Sequence, residues 1–145
     1  MPEEQKKDAA GFDFGAFKDN DEVAVFNPRH PVTDVVIRDV AIEVVGGDSA
    51  IYKQCRRRGL NDKLGQHARN PRKQLTTAEA LEDETVDTLA RCIRGWSTKG
   101  ESGFVYNGEL LQYSYDNALR VLSESSWLRE QLENFIEDRS NFLKR

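Results

Sequence analysis

Cysteine and histidine are scarce, two of each in 145 residues, methionine occurs once, and there is no long apolar run. Each scarcity excludes something. Two cysteines, Cys55 and Cys92, make no disulfide framework, and both are read as reduced, with Cys92 a small core residue. The order Cys55, His67, Cys92, with His30 far upstream, contains neither a C-x-x-C nor an H-x-x-x-H spacing, so no metal site is expected. A nucleophilic Cys55-His67 pair would need a group to orient the imidazole, and none is signalled. No stretch approaches the roughly 20 apolar residues that span a bilayer, and the opening MPEEQKKDAAG has no apolar segment behind its basic residues. The expectation is a cytosolic protein without membrane contact.

Motifs for chemistry are equally thin. There is no G-x-G-x-x-G, no Walker-type glycine loop and no G-x-S-x-G elbow, and Gly11 to Gly15 precedes any expected strand or helix. The acidic run Asp19-Asn20-Asp21-Glu22 lacks the turn glycine and distal glutamate of a calcium loop, and reads as solvated charge. Catalysis needs convergent groups with tuned pKa values, whereas the acids here fall on the outer faces of expected helices. Neither an enzyme nor a cofactor is expected.

What is present is charge. Charged residues make up 32% and hydrophobic ones 38%, with a mean hydropathy of −0.69, which suits one small-cored domain with a wet surface. The net charge of −4 conceals an asymmetry. Residues 48–73 hold eight Lys or Arg, including Arg56, Arg57 and Arg58, against two Asp. This basic segment has one aromatic, Tyr52, and no nucleic-acid reader motif. An acidic protein surface, including that of a sister subunit, therefore ranks first as its partner, a solvated face second and nucleic acid third.

Periodicity supplies the architecture. Residues 1–22 form a flexible acidic arm that carries Phe12, Phe14 and Phe17, either resting on the domain or acting as a short motif that orders on a partner. Val23–Phe26 and residues 35–45 read as strands, the second with Val36, Arg38, Val40, Ile42 and Val44 on one mostly apolar face. Asp48 or Ser49 caps a helix from residue 49 to 61 or 68, with Ile51, Cys55, Leu60 and Leu64 inward and a weak point at Gly59. Residues 65–75 read as a loop around Asn70-Pro71.

Thr76 to Glu79 is a capping box opening the central helix, whose stripe of Leu81, Thr85, Leu89, Cys92 or Ile93, and Trp96 carries it to about Trp96. Asn107-Gly108 favours a type I′ hairpin turn between residues 104–106 and 110–113. Ser114 then caps a short helix with Ala118, Leu119 and Leu122. A last helix from Ser126 turns Leu128, Leu132, Phe135 or Ile136, Arg139 and Phe142 inward. The expected fold is α+β, a small antiparallel sheet near the N-terminus followed by a predominantly helical part of about four helices, in one domain over residues 23–145.

Three strings in this order resemble a known family: GGDSAIYKQCRRRGLN after a Val/Ile strand, TAEALEDETVDTLARCIRGW before a glycine-containing polar loop, and YSYDNALRVLSESSWLREQLENFIEDRSNFL. Between residues 34 and 143 the chain resembles the small tail assembly chaperones of long-tailed bacteriophages. The arm has no counterpart in that pattern, and the three arginines are heavier than it requires. The resemblance implies a non-enzymatic factor of the host cytoplasm. Such a factor binds the long, apolar tape measure protein, helps recruit tail tube protein, and is absent from the finished virion. A homo-oligomer is compatible with it. Candidate contacts are Phe12, Phe14, Phe17, Arg56, Arg57, Arg58 and Trp127, the last also suited to packing at the start of the terminal helix. The alternatives are a structural virion protein at the head-tail junction or capsid surface, and a nucleic-acid-binding module using residues 53–73.

Overall fold

Strand β1 (Val23–Phe26) and strand β2 (Val40–Val45) pair antiparallel, Val23 opposite Val45 and Phe26 opposite Ile42, in a computed structural model that describes residues 11–69 and 78–143. The expected strand over 35–45 is thus shortened to its second half. Extending the observed register would set Pro28 against Val40 and Pro31 against Ile37, and proline has no N–H for a ladder. Residues 28–37 fold back on themselves instead, with Arg29 opposite Val36. Ile37 N donates to Pro28 O at 2.7 Å, His30 N donates to Val35 O at 2.8 Å, and Asp34 adopts a left-handed φ of 60°. Val40, Ile42 and Val44 keep their shared inward face, whereas Val36 and Arg38 do not extend it.

Helix α1 (Ala50–Arg69) follows Gly46-Gly47 and runs unbroken through Gly59, where Glu84 of the next helix packs into the space a side chain would take. Ser49 is the buried cap residue, its Oγ donating to Gly46 O at 2.6 Å and accepting from Tyr52 N. Cys55 is buried and Ile51 packs on the core, but Leu60 and Leu64 are exposed, contrary to expectation. Successive helical residues lie about 100° apart, so a face centred on Cys55 and Gly59 turns both leucines away from the next helix. Residues 65–69, expected in a loop, complete the helix; Asn70-Pro71 and the Thr76 cap lie outside the described residues.

Helix α2 (Ala78–Cys92) buries Val86, Leu89, Ala90 and Cys92 and leaves Leu81 exposed. It does not reach Trp96. At Ile93 the chain becomes strand β3 (Ile93–Thr98), antiparallel to β2 with Trp96 opposite Ile42 and Ile93 opposite Val44. Between those pairs, one step on β2 is matched by two on β3, so Arg94 is the extra residue of a bulge. Residues three apart in a regular strand face opposite ways, but the bulge returns Ile93 and Trp96 to one face, imitating a helical spacing.

Lys99 and Gly100, with φ of 52° and 82°, turn β3 into the short β4 (Glu101–Ser102), closing a sheet of order β1-β2-β3-β4. The second hairpin is as expected. β5 (Phe104–Tyr106) and β6 (Glu109–Leu111) pair around Asn107-Gly108, whose φ values of 51° and 80° are those of a type I′ turn.

Ser114 Oγ accepts from Asn117 N at 3.1 Å and caps α3 (Tyr115–Glu124), which buries Ala118, Val121 and Leu122. Helix α4 (Ser126–Glu137) buries Leu128, Leu132 and Ile136. It stops before Arg139, which is mostly in solvent and pairs with Asp48 at 2.6 Å, not on the inner face as expected. A last turn, Arg139–Asn141, brings Phe142 down onto Gly46. The architecture is α+β, with four α-helices among the described residues and one core shared by Ile42 and Val44 of β2, Ile93 and Trp96 of β3, and the apolar stripes of α2, α3 and α4.

Candidate partner-binding surfaces

The three arm phenylalanines meet one another. Asp13 accepts from Gly15 N and caps a single 3-10 turn, Phe14–Phe17, which stacks Phe12 on Phe17 and sets Phe14 edge-on to Phe12, both at 5.0 Å between ring centres. The cluster remains largely in water, with Phe12 61% and Phe14 81% exposed. Behind it the chain is fastened to α1. Asp21 Oδ1 accepts from Ala50 N at 2.8 Å, satisfying one free N–H of the helix start, and Asp19 pairs with Lys53. The acids read as solvated charge therefore hold the aromatic turn beside the arginine-bearing helix.

Arg56, Arg57 and Arg58 are all exposed on α1. Arg56 lies over the Tyr52 ring at 6.0 Å and faces a cleft that also holds Glu84, Glu133 and Glu137. Arg57 lines a second cleft with Asp19, Asp21 and Asp48. Lys63 pairs with Glu84 at 3.4 Å. Arg72 and Lys73 fall outside the described residues. Carboxylates from the arm, α2 and α4 thus surround much of the basic helix and lower its field toward an incoming phosphate.

Glu133 shows the cost of that crowding. Burial, and then the adjoining Glu137 carboxylate, raise its pKa above the ordinary glutamate value of 4.5, against the pull of Arg129. A raised acid favours its neutral form in the fold. Its contribution is complete below the ordinary value and is lost as pH climbs through the raised one, leaving a penalty at neutral pH. Glu133→Gln is expected to raise the melting temperature at pH 7 by about 1–2 °C, the partial exposure keeping the effect small. Thermal denaturation below pH 4.5, where the wild-type carboxyl is also neutral, should show no difference.

Trp127 stands apart from the other candidates. It is half-buried and lines an apolar cleft of about 260 Å³ with Val40, Ile42, Phe104, Tyr106 and Leu128, between the sheet, the β5–β6 hairpin and the start of α4. The arm and α1 candidates share one region; Trp127 belongs to another.

Cys92 is fully buried and its thiol is pushed up to about 12, chiefly by burial, then by the neighbouring Cys55. Exposed His67 lies twelve residues beyond Cys55 on α1, about 18 Å along the axis, so the two do not meet. His30 Nδ1 accepts from Val32 N and Thr33 N and shapes its own loop. Among the described residues no group of three or more His, Cys, Asp or Glu side chains is placed to hold a metal ion, and no helix is long and apolar enough to cross a membrane.

Two surfaces escaped the sequence. One is the exposed pair Leu60 and Leu64 on the outer side of α1, hidden because leucines at helical spacing count as core. The other is the outer edge of β1, where Val23 and Val25 are exposed. Comparison with family models, curated proteins and solved structures returned no match.

Proposed function

We propose that this chain is a non-enzymatic, protein-binding assembly factor of the phage tail chaperone type, which holds the tape measure protein of its own genome until tail tube protein is added. One observation carries the reading furthest. An exposed cluster of three phenylalanines is kept by Asp19 and Asp21 against the helix that bears Arg56 and Arg57. Aromatic side chains left in water and pre-organised on a charged scaffold suit capture of an apolar helical client, because little ordering cost remains at binding. The ring of carboxylates around α1 supports a protein client over nucleic acid.

Co-expression with the tape measure protein of the same genome tests this. The expected result is a larger soluble fraction of that protein and a co-purifying complex. Replacing Phe12, Phe14 and Phe17 together by serine should weaken capture about thirtyfold, some 2 kcal/mol, with an unchanged melting temperature, since these rings contribute little to the core. If the wild-type chain neither solubilises nor retains the client, the proposal fails. Stoichiometric recovery of the chain from purified particles would favour a structural virion component instead.

A further inference from the structure

We propose that the outer edge of β1 is a self-association site, at which β1 of a second copy of this chain pairs antiparallel across a two-fold axis. β1 is the last strand of its sheet, and among the described residues no further strand lies against it. Every second residue of such a strand directs its N–H and C=O away from β2, a ready template for another strand. The edge is open. Beside it runs a groove of about 520 Å³, lined by Val25, Phe26, Asn27, Arg29, Gln131 and Phe135 among others. Val25 of the groove is 54% exposed and Val23, two residues earlier in the strand, 48%.

Charge selects the occupant. The strand is preceded by Asp19 and Asp21 and followed by Arg29 and His30. In an antiparallel pair of two β1 strands with Val25 opposite its own copy, the paired segment ends at Asn27, and just beyond it Asp21 of each chain comes to the same end as Arg29 of the other, twice by symmetry. A parallel arrangement would set acid beside acid. Arg29 is prepared for this role. Gln131 clasps its backbone, Oε1 accepting from Arg29 N at 2.7 Å and Nε2 donating to Arg29 O at 3.0 Å, which fixes the end of the strand. Its guanidinium donates through Nη1 to Asp34 O at 3.1 Å and lies 3.9 Å from the Asp34 carboxylate, and with more than half of the side chain exposed its other nitrogens stay within reach of a partner. Asp21 spends one oxygen on Ala50 N and keeps the other. Pro28 ends the ladder after Asn27, so the interface is short and the dimer reversible, at the small end of specific interfaces.

Sedimentation equilibrium over rising concentrations of the full chain is the test. The weight-average mass is expected to climb from one chain toward two, less steeply at high salt, with slowed amide exchange at alternate residues of Val23–Phe26. Val25→Lys places like charges opposite each other and removes apolar contact, and should raise the dissociation constant about tenfold. Arg29→Glu should raise it too, whereas Val25→Thr should change it little. Because Val25 and Arg29 are exposed, all three should melt like the wild type. A mass of one chain at every concentration overturns the proposal. So does a dimer indifferent to Val25→Lys, which lies elsewhere, or edge protection seen only when a different protein is added.

Discussion

Trp96→Ala is expected to cost about 3–5 kcal/mol, a large share of the roughly 5–15 kcal/mol that holds a domain of this size together. Trp96 is 5% exposed on β3, stacked on Phe104 at 4.3 Å and edge-on to Tyr113 at 5.3 Å. Its Nε1 donates to Leu111 O at 2.9 Å. One side chain therefore joins the four-stranded sheet to the β5–β6 hairpin, and its loss leaves both a cavity and an unpaired carbonyl. Urea denaturation followed by circular dichroism measures the effect. Trp96→Phe keeps most of the ring and should lose only about 1–2 kcal/mol, mainly through Leu111 O. Equal costs for the two variants would show that the carbonyl, not the packing, matters.

Phe142→Ala is the second large effect, about 3 kcal/mol, at the lower end for such truncations because the final turn can relax. The ring is 6% exposed, edge-on to Phe135 at 5.6 Å, and Phe135 in turn meets Phe26 of β1 at 5.1 Å. A Cβ added at Gly46 would come within 2.6 to 2.9 Å of the Phe142 ring, so Gly46 is glycine because the last residues of the domain cover it. Gly47 N, donating to Ile136 O at 3.0 Å, fixes the same junction. Gly46→Ala alone should destabilise by about 1–3 kcal/mol through overpacking. In the Phe142→Ala background the same substitution should be nearly neutral, since its obstacle is gone. A double-mutant cycle reads the coupling, and additive costs would rule out this contact.

These two positions differ in how far they could be foreseen. The stripe Leu128, Leu132, Phe135 or Ile136, Arg139 and Phe142 points Phe142 inward, and it is inward, although a 3-10 turn rather than α4 carries it there and leaves Arg139 in solvent. Trp96 reaches the core from a strand, where the spacing predicts a helix. Its spacing from Ile93 has a helical value, produced by the Arg94 bulge against β2. The side chain reached the core, but the backbone expected around it was a helix. Leu60 and Leu64 failed in the opposite sense: the helix was right and the burial wrong. Helical spacing says which residues share a face, and only the position of α2 decides which face is covered.

The candidate sites follow the same division. That Phe12, Phe14 and Phe17 cluster within one turn is a local feature, yet the sequence offers them only as resting on the domain or as a motif that orders on a partner. That the cluster sits by the arginines depends on Asp21 reaching Ala50 N and Asp19 reaching Lys53, contacts between segments far apart in the chain. By itself the sequence determined what is decided within a few residues. The Asn107-Gly108 turn, the Ser114 cap, the stripes of α3 and α4 and the α+β class all rest on local hydrogen bonds and side-chain period. Tertiary structure alone decided where α2 gives way to β3, which half of residues 35–45 is strand, and which apolar residues stay in water. In each case the backbone or the face is satisfied by a partner distant in sequence, and its position is not encoded in the spacing of the residues it covers.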